Sequence, residues 1–380
     1  MEWVNLTTAS AATRTVTTAT LATIGDISTD VHMAIMSFYF YFLWPTLIGL
    51  GVVTNLMAII VFVDMGLHDS VSISFLALSI ADLLYLLLAS VVAVTAAIGI
   101  QPWQSGLTIH VYFLGGYAAW YEGLFMETAM GIIAYISLAR CCCVAIALKF
   151  KHTFTVRRTL VIIGAILCLA GVTRIPLLRT TGLYWYTNPA NNVTRLLAYF
   201  NEDFNAKKEV HDIINRTIFP NVLLIIVFLC AIILTHTLIV AARTRREMTG
   251  KVTVASRNHK KEKVDLSLQT NQTGEKKAAE ASRSQTLSGK EIQVVKQVTA
   301  VAGFLLLAVF VLSVNSIAQV IVPEFMSGRR YKRLYNVTVG FGSSCCHLNA
   351  CVNLFIYLRF NRRFRQVFIR LFTCSGAKQT

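Results

Sequence analysis

The sequence predicts an all-α membrane protein: a seven-transmembrane helix bundle with a C-terminal amphipathic surface helix. Three observations predict it. Seven apolar stretches are each long enough to cross a bilayer, which takes about 20 residues. The chain is 55% hydrophobic and only 14% charged, the balance of a membrane protein and not of a soluble domain. A few polar residues sit inside the stretches, at depths where a polar group costs several kcal/mol unless it is paired or lines a cavity.

Taken in order, residues 1–37 form a polar tail rich in Thr and Ala. It lacks a basic-then-apolar signal peptide, so the first span is expected to act as its own insertion signal. The span domain covers residues 38–358. The first span, Phe38–Asp64, carries Asn55, and the second, Val71–Gly99, carries Asp82. The third, Val111–Ala147, is the most polar, with Glu122, Glu127 and Arg140. Arg174 lies in the fourth, Thr159–Leu178, and the fifth is Asn215–Ala242. The sixth is Ile292–Val322, and the seventh, Lys332–Leu358, holds Asn353. Two connections are long, Arg179–Ile214 and Arg243–Glu291. The second is rich in Lys, Glu, Ser, Thr and Gln, the composition of a disordered loop over 243–291. Its Ser282–Ser288 run reads either as a phosphorylation cluster or as a solvated linker.

Residues 359–373 place Phe360, Phe364, Val367, Phe368 and Leu371 on one helical face, with basic residues on the other. That pattern predicts a helix lying on membrane lipid. Residues 374–380 form a short tail, in which Cys374 is placed for palmitoylation.

Lys and Arg set the orientation. Twenty-two lie in the loops on one side of the spans and nine on the other. The positive-inside rule makes the first side cytoplasmic, with the N-terminus extracellular and the C-terminus inside. A net charge of +16 is thus a topology and lipid-surface signal, and no nucleic-acid partner is expected. All nine cysteines lie in spans or at their cytoplasmic ends, so no extracellular disulfide framework is available. No cysteine–histidine spacing suggests a metal site, and no cofactor is expected. With no nucleophile–base pair or phosphate loop, the chain does not read as an enzyme. Absence of internal repeats weakens a transporter or channel reading. Asn5 and Asn192 head glycosylation sequons on the predicted outer side.

Order and spacing of several motifs resemble the rhodopsin-like family of G-protein-coupled receptors over essentially the whole chain. They are Gly51-Val-Val-Thr-Asn55, Leu78-Ser-Ile-Ala-Asp82, Ala139-Arg140-Cys141, Pro220, and Asn353-Leu-Phe-Ile-Tyr357 running into the Phe364-Arg365 helix. Trp103 matches a tryptophan common in the first outer loop. Within the family, Val61–Ser79 and Arg140–Lys149 are similar to gastropod chemosensory-type and invertebrate neuropeptide receptors. The resemblance implies a plasma-membrane receptor for an extracellular small molecule or short peptide. Its partners would be a heterotrimeric G protein, arrestin, a receptor kinase and membrane lipids.

Residue roles follow from the same resemblance. Arg140 would be the inner switch, pairing with Glu291 and acting with Asn353 and Tyr357. Asn55, Asp82, Asn349 and Asn353 would form a polar core network. It would be either purely structural or a sodium pocket, although Ala129 replaces the family's serine. Glu122 lies eighteen residues outward of Arg140, about 27 Å along a helix, at the depth where the family binds ligands. Glu122, Met126, Trp103 and Trp185 are the ligand candidates. Glu127 and Glu122 compete for Arg174, which leaves one acid over. The chain also departs from the family. Gly115 stands in place of the disulfide cysteine and Ala139 in place of the acid before Arg140. The sixth span has no proline, and Leu354 replaces the proline of the seventh. Helices six and seven should therefore be straight or kinked by other means.

Overall fold

A computed structural model describes residues 26–99, 111–145, 154–189, 192–259, 289–326 and 328–372. Trp103, Asn5, Cys374 and the Ser282–Ser288 run lie outside these residues. Seven helices are long and apolar enough to cross a membrane. They are α1 (Thr29–Met65), α2 (Ser70–Gly99), α3 (Val111–Ala145), α4 (Val156–Val172), α5 (residues 204–259), α6 (Gly289–Ile321) and α7 (Lys332–Phe360). A surface helix, α8 (Arg362–Phe372), follows.

Local chemistry starts several of these helices. Ser28 accepts from the Val31 amide at the head of α1, and Thr155 from that of Arg158 at α4. Asp69 accepts from the amides of Val71 and Ser72 at 3.0 and 2.9 Å at α2. Asn361 Oδ1 takes the Phe364 amide at 3.0 Å at α8. Each fills an amide that the first turn leaves without a partner. The cap of α7 is different. Asp26, some 300 residues earlier, accepts from the amides of Arg333 and Leu334 at 3.3 and 3.0 Å. This ties the chain before α1 to the head of α7.

Helix α3 runs through the middle, touching α2, α4, α5 and α6. Two-thirds of its apolar window is buried, against 17% in α4 and in α5. Those two helices expose Val161, Leu169, Ile225 and Phe228 by more than half. Such faces suit lipid, while α3 needs protein around its charges. Helices α6 and α7 run unbroken, as expected without proline. The irregular turns fall in α1 and α5 instead, as π segments Tyr39–Leu43 and Ile213–Ile218. Each lies just before a proline, Pro45 or Pro220. Proline has no N–H for the carbonyl one turn back, and a widened turn relieves its clash there. In α5 that carbonyl is Arg216's, and Ser316 of α6 donates to it at 2.9 Å.

One part goes beyond the sequence reading and another differs from it. The long connection Arg179–Ile214 contains a hairpin: β1 (Thr181–Asn188) and β2 (Val193–Phe200) pair antiparallel, with Thr181 opposite Phe200 and Asn188 opposite Val193. Asn192 takes φ 53 in the turn, a left-handed conformation that Asn tolerates better than most residues, and it is exposed. Helix α5 also continues to His259, where the sequence reading begins disorder at Arg243. Once nucleated in the span, a helix lengthens by one bond per residue, and Ala241–Met248 consists largely of strong helix formers.

Between its Phe62, Phe75, Tyr357 and Phe364 rings, the end of the bundle away from the hairpin is held tightly. Phe364 carries α8 into this cluster, fully buried. Arg363 donates to the Met65 carbonyl at 2.6 Å, and Arg370 pairs with Asp64.

Candidate functional site

The hairpin end is assembled without a disulfide. Gly115 of α3 packs so close to α2 that a Cβ there would lie 2.5 Å from Thr95 Oγ1. A cysteine at this position would require Thr95 to shift. The hairpin is held instead by Tyr117, whose hydroxyl meets Thr181 Oγ1 at 2.6 Å. Phe113 packs on Phe200 at 6.4 Å between centroids, and Trp120 on Phe204 at 6.2 Å. Aromatic contacts of about 0.5–1.5 kcal/mol each approach what one disulfide contributes. Dithiothreitol is therefore expected to leave the thermal midpoint of the purified protein unchanged. A fall of several degrees would mean that a cysteine bridge supports the fold.

Beneath the hairpin, α3 presents its two acids in different settings. Glu127 is gripped by Arg174, in the turn that follows α4, with Nη1 to Oε2 at 2.9 Å and Nη2 to Oε1 at 2.7 Å. Arg174 also donates to the carbonyls of Trp120 and Ala170, and Gly123 leaves space for its guanidinium. This bidentate pair is buried, with side chains 3% and 4% exposed. Glu122 is the acid left over. Among the described residues it makes no hydrogen bond or contact ion pair, and it remains partly accessible. Its electrostatic neighbours are Arg216 of α5, Tyr85 of α2 and Cys346 of α7. Met126, one turn below Glu122 on the same face, bridges the two hydrophobic core clusters. Trp185 stands apart on β1, opposite Leu196 and 64% exposed.

The middle of the bundle holds the expected polar residues, joined less completely than expected. Asp82 accepts from Asn353 Nδ2 at 2.7 Å. Asn55 reaches only main chain, donating to the carbonyls of Gly51 and Ala350 at 2.9 Å each. Asn349 Oδ1 has no hydrogen-bond partner among the described residues. The four residues form one direct pair and one helix-to-helix clamp. One turn toward the hairpin, a layer absent from the sequence reading appears. The Tyr85 hydroxyl meets His347 Nδ1 at 2.7 Å, and Trp44 Nε1 donates to Ser344 at 3.0 Å while its ring packs edge-on against His347.

At the far end, Arg140 is nine-tenths buried and lines a cavity with Ser70, Ser74, Tyr135, Ala139 and Phe154. The Glu291 side chain lies outside the described residues, and so does the expected Arg140–Glu291 pair. Tyr357 is fully buried beside Ser79.

Arg216 is the residue that sequence reasoning missed. It lies in Asn215-Arg-Thr217 at the outer border of the fifth span. Yet it is one of six Lys or Arg residues inside the spans, with Arg140, Arg174, Lys296, Lys332 and Arg333, and its basic charge there could have flagged it.

This arrangement has a ready place among known proteins. Residues 54–357 match the 7 transmembrane receptor (rhodopsin family), and the chain belongs to that family. It is a multi-pass membrane protein and a receptor of the class that signals through G proteins. No curated protein sequence matches it significantly.

Proposed function

We propose that the chain is a plasma-membrane receptor with its hairpin end outside and its Arg140 end in the cytoplasm. In this reading it binds an extracellular chemical cue or a short peptide and passes the signal to a heterotrimeric G protein. One observation carries the reading. A single central helix bears Glu122 near the hairpin and Arg140 about 27 Å away, with the Asp82–Asn353 pair lying between α2 and α7. A ligand that prefers one packing of such a bundle shifts its population, and the far end reports the shift. The excess of Lys and Arg in loops on the Arg140 side supports the orientation. Asn192, exposed in the hairpin turn, is then on the glycosylated face. Arrestin and a receptor kinase are proposed partners at the cytoplasmic face, and α8 is proposed to rest on inner-leaflet lipid.

The test is a panel of small water-borne chemicals and a panel of short peptides, applied to cells expressing the receptor with a promiscuous G protein. A response to the first panel makes it chemosensory. A response restricted to the second makes it a neuropeptide receptor. Uptake or current without G-protein activation would overturn the receptor reading.

Basal activity tests the switch. Ala139 lines the Arg140 cavity where an acid would hold the guanidinium, so basal signalling should be raised. Ala139→Asp is expected to lower it roughly fivefold at equal surface expression, the shift that about 1 kcal/mol gives. Unchanged or higher basal output would count against Arg140 as the switch.

A further inference from the structure

The cavity beside Arg140 is walled by two helix faces and one loop ring. Tyr135, Ile136, Ala139 and Arg140 recur at helical spacing, so they share the side of α3 turned toward it. Ser70, Val71 and Ser74 do the same on α2. Phe154, in the loop before α4, closes a third side, its ring 6.3 Å from that of Tyr135. The space between them is half enclosed and has room for about one water-sized particle. Arg140 is the only charged residue in this lining among the described residues. Asp69, just before α2, is engaged elsewhere, taking the amides of Val71 and Ser72 and the Ser72 hydroxyl. Ser74 donates to the Ser70 carbonyl at 2.7 Å, and the Tyr135 hydroxyl meets Thr159 Oγ1 at 2.7 Å, which fixes those walls. A guanidinium carries five N–H donors, and a carboxylate takes two in a fork. Arg140 therefore keeps donors for a further partner whatever else it bonds.

We propose that this cavity is an intracellular site for one monovalent anion of about chloride size, held by the Arg140 guanidinium and the Ser70 hydroxyl. The inference rests on the receptor reading and names a regulation of its inner switch. Size keeps out sulfate, phosphate and organic acids. The apolar walls of Val71, Ile136, Ala139 and Phe154 offer nothing to replace lost hydration, so they favour an ion that gives up its water readily. A guanidinium is itself weakly hydrated and pairs with such an ion at low desolvation cost. The bound anion neutralises Arg140 and keeps it in the cavity, so cytoplasmic anion holds basal signalling down.

The probe is chloride, exchanged for gluconate at constant ionic strength on the purified full-length receptor in detergent micelles. The thermal midpoint should rise by about 2 °C or more and then level off. Half of the rise should come at about 1–30 mM, the range that two charge-assisted hydrogen bonds give. Bromide should replace chloride, and the more strongly hydrated fluoride should do so about tenfold less well. Ala139→Asp places a carboxylate in the cavity and should abolish the dependence. Ala139→Leu fills the space without charge and should abolish it too. The proposal falls if chloride and gluconate give the unmodified receptor the same midpoint, whether or not the variants fold. It also falls if either folded variant keeps the full dependence, because chloride then acts elsewhere. Nucleotide exchange on a purified G protein, at one fixed chloride concentration, separates the two readings. Exchange with no chloride effect on the midpoint overturns this inference alone, whereas absence of exchange overturns the receptor reading beneath it.

Discussion

Glu127→Gln is expected to destabilise the receptor by about 3–5 kcal/mol, because it leaves the Arg174 guanidinium buried without its counter-charge. Arg174→Met should cost a similar amount by stranding the carboxylate. Against a total stability of about 5–15 kcal/mol, either change should sharply reduce the amount of folded receptor at the cell surface. The double variant Glu127→Leu/Arg174→Met removes both charges together. It should recover most of the loss, since an apolar pair of similar volume often replaces a buried ion pair without penalty. Surface expression and thermal midpoint measure all three. Single variants as stable as the parent, or a double variant no better than the worse single, would show that the pair does not hold α3 to α4. Glu122→Gln is the control five residues away. It performs the same chemistry on a carboxylate with no protein partner in contact, so the fold should tolerate it.

Asn353→Leu should cost about 3 kcal/mol, the second largest effect. Asp82 is 3% exposed and accepts from Asn353 at 2.7 Å, so the substitution leaves a buried carboxylate without its donor. Asp82→Leu in the same chain should return part of the stability, because the orphaned acid is then gone. A thermal midpoint in Asn353→Leu equal to that of the parent would mean that other groups satisfy Asp82.

The class of fold was readable because the bilayer imposes it. Apolar length, loop charge and the helical faces of Phe360, Phe364 and Phe368 are local patterns, and seven helices with a surface helix follow from them. The helix breaks were half legible: Pro45 and Pro220 announce trouble, but whether a turn widens, and who takes the freed carbonyl, depends on a neighbour such as Ser316. The hairpin had its own signals in Leu183-Tyr-Trp-Tyr-Thr187 and the Asn-rich turn, within a segment whose sequence was read only as a long connection.

By itself the sequence determined which residues are polar inside the spans and how deep they lie, because helix rise converts residue number into depth. Only the tertiary structure decided how they pair. Glu122 and Glu127 are alike in sequence. Helix rotation and the space at Gly123 give Arg174 to one of them, and the other has no contact ion pair among the described residues. Asp26 caps α7 across some 300 residues, and Asn349 is left without the partner its spacing suggested. Partner choice depends on which faces meet at the distances of a hydrogen bond, and those distances are set by packing between helices, not by position along any one of them.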